Sequence, residues 1–138
     1  MGFDDLPHDW VDRPLTDPQL VADVLDLHLS DEDRRRGTLL ALLCDEHARY
    51  VLATLVSDPG TVPEGDRTRG LSTFVEAADG HDASLLFAIA RADGLSVTSD
   101  DLAWARDAQA ACAGRVRLLG FYLVTCAGSR SIPVGEAA

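Results

Sequence analysis

Few side chains in this chain have both the type and the spacing that chemistry requires. The histidines form no His-x-His or i, i+4 pair, the arrangements that present two ligands to one metal ion. No serine lies in a Gly-x-Ser-x-Gly elbow, and nothing in the sequence pairs a nucleophile with a histidine. The spacing therefore predicts no conventional catalytic centre. The residues that qualify by type alone are His8, His28, His47, His81, Cys126, Ser129 and Ser131.

Missing residue types exclude further classes of enzyme. The chain contains no lysine, so it cannot form a lysine Schiff base, anchor pyridoxal phosphate or build a lysine phosphate loop. Its cysteines, Cys44, Cys112 and Cys126, are odd in number and far apart, without a C-x-x-C pair. This pattern predicts reduced, buried thiols rather than a zinc knuckle or a disulfide framework. We expect neither a metal nor a cofactor.

The charge of the chain argues against nucleic acid as a partner. The formal net charge is -11, and its long-range field repels phosphate backbones. The acids concentrate in residues 1–33, where Arg13 is the one arginine. Residues 105–135 hold four arginines against Asp107, so a local cationic strip stays open as an alternative.

The apolar segments are too short to cross a membrane. The longest runs are Leu39–Cys44 and Leu85–Ala90, well below the roughly 20 residues of a spanning helix. The first residues are acidic, whereas a signal peptide begins with basic residues. The sequence therefore predicts a cytoplasmic protein without a membrane partner.

Length and composition predict one globular domain. The chain has 138 residues, of which 46% are hydrophobic and 25% charged. Residues 1–16 form an irregular acidic segment, with Trp10 as the anchoring side chain. A single α/β domain is expected over residues 17–134, followed by a frayed tail over residues 135–138.

The first half of the predicted domain is a helix followed by a hairpin. Asp17 can cap a helix that begins at Pro18 and runs to about residue 29. The charged run Asp31–Arg36 is interpreted as a polar connection. Two apolar segments, Gly37–Cys44 and Arg49–Ser57, are typical of strands joined by a short polar turn.

The second half alternates helices with strands, which predicts a mixed sheet flanked by helices. Thr98 or Ser99 is expected to cap the longer helix, and Gly114 to end it. In order, the predicted elements are a long loop over Asp58–Arg69, a short helix over Leu71–Ala78, a strand over Ser84–Arg91, a helix to about Ala113, a strand over Arg117–Cys126 and a short strand near Ser131–Val134.

Residues 37–126 resemble the RadC-like branch of the JAB family, also called MPN or JAMM. Leu42–Asp45 with Arg49 is similar to the family's strand, aspartate turn and arginine. Leu85–Gly94 aligns with the family strand that ends in a His-x-His-Pro-Ser-Gly loop. Thr98–Leu102 resembles the Ser-x-x-Asp-Leu segment that opens the next helix, and Leu118-Leu119-Gly120 resembles a triplet before the last long strand. The resemblance implies a JAB/MPN-like fold.

The resemblance also implies that the zinc site of this hydrolase family is lost. Ile89 and Arg91 stand at the positions of the two zinc-binding histidines, and Gly37 stands at the position of the catalytic glutamate. Thr98 replaces the serine, and of the metal ligands Asp101 alone is retained. One carboxylate cannot hold zinc, and Arg91 brings a positive charge to the metal position. The resemblance therefore implies the fold without the peptidase activity.

The emptied cleft supplies the candidate binding residues, which are Arg91, Asp93, Thr98 and Asp101. Asp101 is either a remnant of the metal site or, with Thr98, half of a helix capping box. Arg91 either pairs with Asp101 or faces solvent at the strand end. A JAB-like fold requires the two side chains to lie close together. Trp104, on the same helix, belongs either to the core or to an interface.

Three functions stay open at this point. The leading hypothesis is a non-catalytic JAB-like module, a pseudo-metallopeptidase of the bacterial cytosol, that binds another protein or forms a homodimer. The second is a hydrolase with a relocated metal or catalytic site built from His47, His81 and acids such as Glu76 or Asp82. The third is a regulatory domain that holds a small anion on Arg91.

Overall fold

Two strands with almost continuous apolar sequence, Thr38–Cys44 and Ser84–Ala90, lie side by side at the centre of the protein. The structure is a computed structural model that describes residues 6–57, 64–80, 82–92 and 94–132, apart from the side chains of residues 57 and 64–68. The strands within these ranges are β1 (Thr38–Cys44), β2 (Tyr50–Ser57), β3 (Ser84–Ala90), β4 (Arg117–Thr125) and β5 (Gly128–Ile132). The α-helices are α1 (Pro18–His28), α2 (Asp31–Arg36), α3 (Glu64–Ala78) and α4 (Ser99–Cys112).

The strands form one mixed sheet in the order β2-β1-β3-β4-β5. β3 is parallel to β4, and the other neighbouring strands are antiparallel. All seven residues of β3 are buried, because helices cover both faces of the sheet and leave no polar face. The predicted α/β class, with a mixed sheet in one small domain, is confirmed.

The core has two layers, one on each face of the sheet. On one face, α3 and α4 pack Val75, Trp104 and Ala108 against Phe87 and Phe121. On the other face, α1 packs its apolar side chains against the central strands; these residues are Leu20, Val21, Val24, Leu25, Leu40, Leu42, Leu86 and Ala88. The core interpretation of Trp104 is thereby confirmed.

Local capping chemistry fixes the ends of the predicted helices. The Asp17 carboxylate accepts a hydrogen bond from the Gln19 backbone N–H at 3.3 Å, and Pro18 begins α1. Thr98 caps α4 as expected, and the helix ends at Cys112, just before Gly114 with its positive φ of 74°. The predicted starts of α1 and α4 are therefore confirmed.

Two predicted connections are helical instead. Asp31–Arg36 forms α2, because Ser30 and Asp33 build a reciprocal capping box, with acids in the first turn and arginines in the last. The predicted loop is wrong over residues 64–69, since α3 already begins at Glu64 rather than near Leu71. Residues 58–63 lie outside the described residues.

The last strand and one thiol also differ from the prediction. β5 spans Gly128–Ile132, a few residues before the predicted segment, because the turn after Thr125 is short. Residues 133–138, which include the predicted tail, lie outside the described residues. Cys44 and Cys112 are buried, but Cys126 lies in the β4–β5 turn and is exposed, so the prediction of a buried thiol is wrong there.

The segment before α1 packs against the β1–β2 hairpin. Trp10 belongs to a short 3-10 helix, and its ring lies 5.0 Å from the Tyr50 ring and 6.3 Å from the His28 ring, centroid to centroid. The Leu15 N–H donates to the Ala48 carbonyl at 2.8 Å, and the Leu15 side chain is buried. Trp10 is therefore an anchor, as the sequence predicts. Within the described residues, no helix is both long and apolar enough to cross a membrane.

Candidate functional site

The candidate site lies at one end of the strands, where the end of β3 and the start of β1 meet the first turn of α4. Antiparallel pairing places Thr38 opposite Ala90 and Leu39 opposite Ile89. Gly37 therefore comes next to Arg91, the residue that follows β3. Gly37 has a φ of 91°, a backbone conformation that side chains rarely adopt. The positions singled out in the sequence are thus brought together.

Arg91 and Asp101 form a two-point ion pair at this end of the strands. Arg91 Nη2 donates to Asp101 Oδ2 at 2.8 Å, and Arg91 Nε donates to Asp101 Oδ1 at 3.4 Å. The Asp101 side chain is 2% exposed and that of Arg91 is 22% exposed. Such fork-like contacts between a guanidinium and a carboxylate are among the stronger hydrogen bonds in proteins. The predicted pairing of these residues is confirmed.

The remaining donors of Arg91 face its own loop. Nη2 also donates to the Ser96 carbonyl, and Nη1 lies 3.5 Å from the Gly94 carbonyl. The Arg91 backbone N–H donates to the Val124 carbonyl of β4 at 3.1 Å. The guanidinium therefore links the end of β3, the following loop and the first turn of α4. Asp93, another predicted site residue, lies outside the described residues.

Asp101 is also part of the predicted capping box. Its Oδ2 accepts from the Thr98 backbone N–H at 2.9 Å, and Thr98 Oγ1 accepts from the Asp101 N–H at 3.1 Å. The structural interpretation of Asp101 and its pairing with Arg91 hold together, because one carboxylate serves both. The carboxylate is fully engaged by the protein's own donors.

These residues do not fit a zinc ion. Ile89 is buried in the core, and Gly37 has no side chain. The single carboxylate, Asp101, already binds a guanidinium, whereas a catalytic zinc needs three protein ligands and an open position. Within the described residues, no group of three or more His, Cys, Asp or Glu side chains is arranged to hold a metal ion.

The alternative centre around His47 has no compact geometry. His47 is exposed beside Glu46, with 3.6 Å between Nε2 and Oε1, and both Glu76 and Asp82 are exposed. His81 lies outside the described residues. His28 is a packing residue, since its Nδ1 lies 2.9 Å from the Val24 carbonyl and its ring contacts Tyr50.

Asp45 shapes the hairpin turn rather than a reactive site. Its Oδ1 accepts from the backbone N–H groups of His47 and Arg49 at 2.8 and 2.9 Å, and its Oδ2 accepts from Arg49 Nε at 2.9 Å. These bonds, with that of the Arg49 N–H the largest contribution, hold the pKa of Asp45 below its ordinary value. The aspartate turn predicted between the strands is therefore held by its own side chain.

The buried thiols are poor nucleophiles. Burial raises the pKa of Cys44 to about 12 and that of Cys112 to about 11, so both thiols stay protonated at neutral pH. Ser129 and Ser131 lie on β5, where Ser129 is partly exposed and Ser131 is exposed.

A second buried aspartate, which the sequence interpretation missed, lies on α1. Asp23 is 6% exposed, and its Oδ1 accepts from Gln19 Nε2 at 3.1 Å. Two cavities, of about 350 and 160 Å³, lie against α1, and both are lined by Gln19 and Asp23. Helical spacing gives a signal, since Gln19, Asp23 and Asp26 are four and three residues apart and share one face of the helix.

Arg34 also lines the smaller cavity. Its Nη2 donates to Asp26 Oδ1 at 2.7 Å, and its Nη1 donates to the Thr125 carbonyl at 3.3 Å. Its Nε is buried without a hydrogen-bond partner.

No protein-family model, curated protein or solved structure matches the chain. A functional assignment therefore depends on the geometry around Asp101 and Asp23.

Proposed function

We propose that the chain is a non-catalytic JAB-like module of the bacterial cytoplasm that binds another protein or pairs with itself. The ion pair between Arg91 and Asp101 is the observation that carries this proposal. It occupies the position at which the family resemblance expects a catalytic zinc. A guanidinium neutralises the carboxylate as a metal would, but it offers no open coordination position at which to activate water.

The arrangement of elements gives the family assignment further support. A JAB-like fold requires the end of the strand at Arg91 to face the first turn of the helix at Asp101, and the two side chains are in contact. It also expects a hairpin, a helix, a strand, a helix and a strand in this order, which agrees with β1 to β4 and their helices.

The exposed edge of the sheet supports the protein-binding part of the proposal. Within the described residues, β2 pairs with β1 alone, and its sequence contains neither a charge nor a proline. Val51, Leu52 and Leu55 are about half-exposed on this strand. Edge strands normally carry charges or prolines that prevent further pairing, so an uncharged apolar edge favours the addition of a strand from another chain.

The two alternative functions have less support. An anion on Arg91 would compete with Asp101 and the loop carbonyls, which already accept from its Nε, Nη1 and Nη2 groups. A relocated metal centre would need His47, His81 and acids such as Glu76 or Asp82 to gather around one point. His81 lies outside the described residues, and His47, Glu76 and Asp82 are exposed without such a grouping in the described part of the chain.

Elemental analysis tests the non-catalytic part of the proposal. Protein purified without chelator is expected to hold no stoichiometric zinc and to show no chelator-sensitive peptidase activity. About one tightly bound zinc per chain, the stoichiometry of a catalytic site, would contradict the proposal.

Sedimentation velocity over a concentration series tests self-association. If copies pair through β2, Leu55→Lys is expected to shift the protein to monomer, because it places a charge on the edge. Leu27→Lys is the matched control, since Leu27 is similarly exposed but lies on α1.

If the parent chain is a monomer, capture of a binding partner that Leu55→Lys abolishes and Leu27→Lys retains supports the other form of the proposal. An equal effect of both variants contradicts a role for the edge.

A further inference from the structure

We propose that the open edge of β2 and an apolar groove beside it bind an extended segment of a basic partner protein, with one aliphatic side chain of that segment in the groove. The proposal rests on the protein-binding part of the proposed function. It commits to a strand from another protein rather than a second copy of this chain.

The groove lies between β2 and α3, on the face of the sheet that α3 and α4 cover. Its volume is about 120 Å³, and its walls include Leu43, Leu52, Thr54, Phe74 and Ala77, which are apolar apart from Thr54. Leu52, Thr54 and Ala77 are exposed, so the groove opens to solvent beside β2. Small-molecule sites begin at roughly 300 Å³, so this space suits one side chain rather than a whole small molecule.

The edge of β2 is open where the groove lies. Within the described ranges, β2 pairs with β1 alone, which places Leu43 opposite Leu52 and Ala41 opposite Thr54. A strand added to the other side of β2 would turn every second side chain toward the α3 face, because side chains alternate along a strand. Its backbone would supply the hydrogen bonds, and the side chain over the groove would supply selectivity for an aliphatic residue.

The segment before α1 marks one end of the open edge. Pro14 forms an antiparallel bridge with Arg49, and the Trp10 ring of the 3-10 helix packs on the Tyr50 ring. The chain thus covers the start of this edge with its own backbone. Residues 51–56 are left for a short segment of a partner.

The charges at the covered end of β2 decide the sign of the partner. The described residues there include four acids, Asp9, Asp12, Asp45 and Glu46, against two arginines, Arg13 and Arg49. Arg13 pairs with Asp9 at 3.0 Å, and Arg49 pairs with Asp45 at 2.9 Å. Asp12 and Glu46, both exposed, are not matched by an arginine of the described residues. Lysine or arginine beside the apolar part of a partner strand would complement them.

The overall charge favours another protein over a second copy. The net charge of the chain is -11, so two copies repel each other over long range, whereas a basic partner is attracted. The chain also contains no lysine that could bring the complementary charge from a second copy.

NMR titration of the full chain at pH 7 with the peptide acetyl-Lys-Thr-Val-Thr-Val-Thr-Lys-amide tests the site. In a strand its valines face one side, and a lysine reaches the acidic end in either strand direction. Saturable shifts are expected at the amides of residues 51–55, Phe74 and Ala77, with a Kd roughly between 0.1 and 1 mM. The same peptide with glutamate in place of lysine should bind about fivefold or more weakly. Equal binding of the two peptides would overturn the basic character of the partner.

Ala77→Phe tests the groove, because a phenylalanine at this exposed position of α3 fills it and leaves β2 unchanged. Binding of the lysine peptide should weaken about tenfold, the effect of losing the buried contacts of one valine. Ala110→Phe is the matched control, since it makes the same substitution at an exposed position of α4 outside the groove. Equal binding by the two variants would contradict a role for the groove.

Failure of this proposal is distinguishable from failure of the proposed function. No saturable shifts along β2 at up to about 5 mM lysine peptide would overturn the proposed partner. A dimer of the parent chain that Leu55→Lys dissociates would also overturn it, although that result supports self-pairing through the same edge. Peptide binding that Leu55→Lys retains unchanged would contradict the use of this edge in both proposals.

Discussion

Asp101 and Asp23 both lie on helices and are almost completely buried, yet they have opposite surroundings. Asp101 receives a two-point contact from Arg91 and a backbone N–H from Thr98, so its charge is matched within the protein. Asp23 receives one side-chain amide and borders two cavities. Burial by itself therefore does not define the role of an acid. Asp101 is paired with a guanidinium, whereas Asp23 has one amide partner, no cation of the described residues within ion-pair distance, and open space beside it.

Removal of Arg91 is expected to have the largest effect on stability. Arg91→Ala leaves the Asp101 carboxylate buried without a cation and should lower the free energy of unfolding by about 2–4 kcal/mol. Urea denaturation measures this loss. Arg106→Ala, at an exposed position of α4, is the matched control and should stay within about 0.5 kcal/mol of the parent protein. Equal losses in the two variants would contradict a stabilising ion pair.

Substitution of Asp101 separates its two contributions. Asp101→Ala removes the ion pair and the cap together and should cost about 2 kcal/mol. This is less than the loss in Arg91→Ala, because Arg91 is partly exposed and keeps its carbonyl acceptors. Asp101→Asn retains a capping oxygen and should cost about half as much in the same urea experiment. An asparagine variant as unstable as the alanine variant would show that the cap contributes little.

Substitution of Asp23 is expected to change stability far less than substitution of Arg91 or Asp101. Asp23→Asn keeps an oxygen for Gln19 and removes a charge that has no cation partner among the described residues, so the free energy of unfolding should stay within about 0.5 kcal/mol of the parent value. Thermal and urea denaturation measure the change. A loss as large as that of Asp101→Asn would mean that Asp23 is matched as fully as Asp101, which removes the distinction between the two sites.

Asp45 provides a third case with a smaller expected effect, because its side chain is partly exposed. Its pKa is lowered in the folded protein, so its stabilising contribution is present above its ordinary pKa, about 3.9, and is lost as the pH falls through the lowered value. The stability difference between the parent protein and Asp45→Asn should therefore shrink on acidification from pH 6 to pH 3. Urea midpoints across this range test the sign, and a difference that grows at low pH would contradict it.

The sequence predicts elements well where a local pattern determines them. β1 and β3 are recognisable because strands buried on both faces are apolar without alternation, and α4 is recognisable from its capping box. The apolar pattern does not reveal α2, because the stability of this helix comes from caps and end charges rather than an apolar stripe. It does not reveal the start of α3 for a related reason, since residues 64–70 contain no hydrophobic side chain.

The sequence likewise predicts the surroundings of Asp101 better than those of Asp23. The contact between Arg91 and Asp101 joins residues ten positions apart, and the family resemblance aligns both segments. The surroundings of Asp23 depend on packing of α1 against α2 and the β4–β5 hairpin, including a bond from Arg34 to Thr125 over 91 positions. No local sequence pattern indicates burial that arises from contacts with such distant segments.

The parallel pairing of β3 with β4 has a consequence for synthesis of the chain. β1, β2 and β3 can assemble as soon as Ala90 is available, because they are antiparallel neighbours. The other edge of β3 has to wait for β4, which begins 27 residues later at Arg117. At usual rates of translation this interval lasts about 1–5 s. β3, which is buried along its whole length in the folded protein, therefore emerges from the ribosome before its last partner, and its unpaired side needs protection from other nascent chains during that interval.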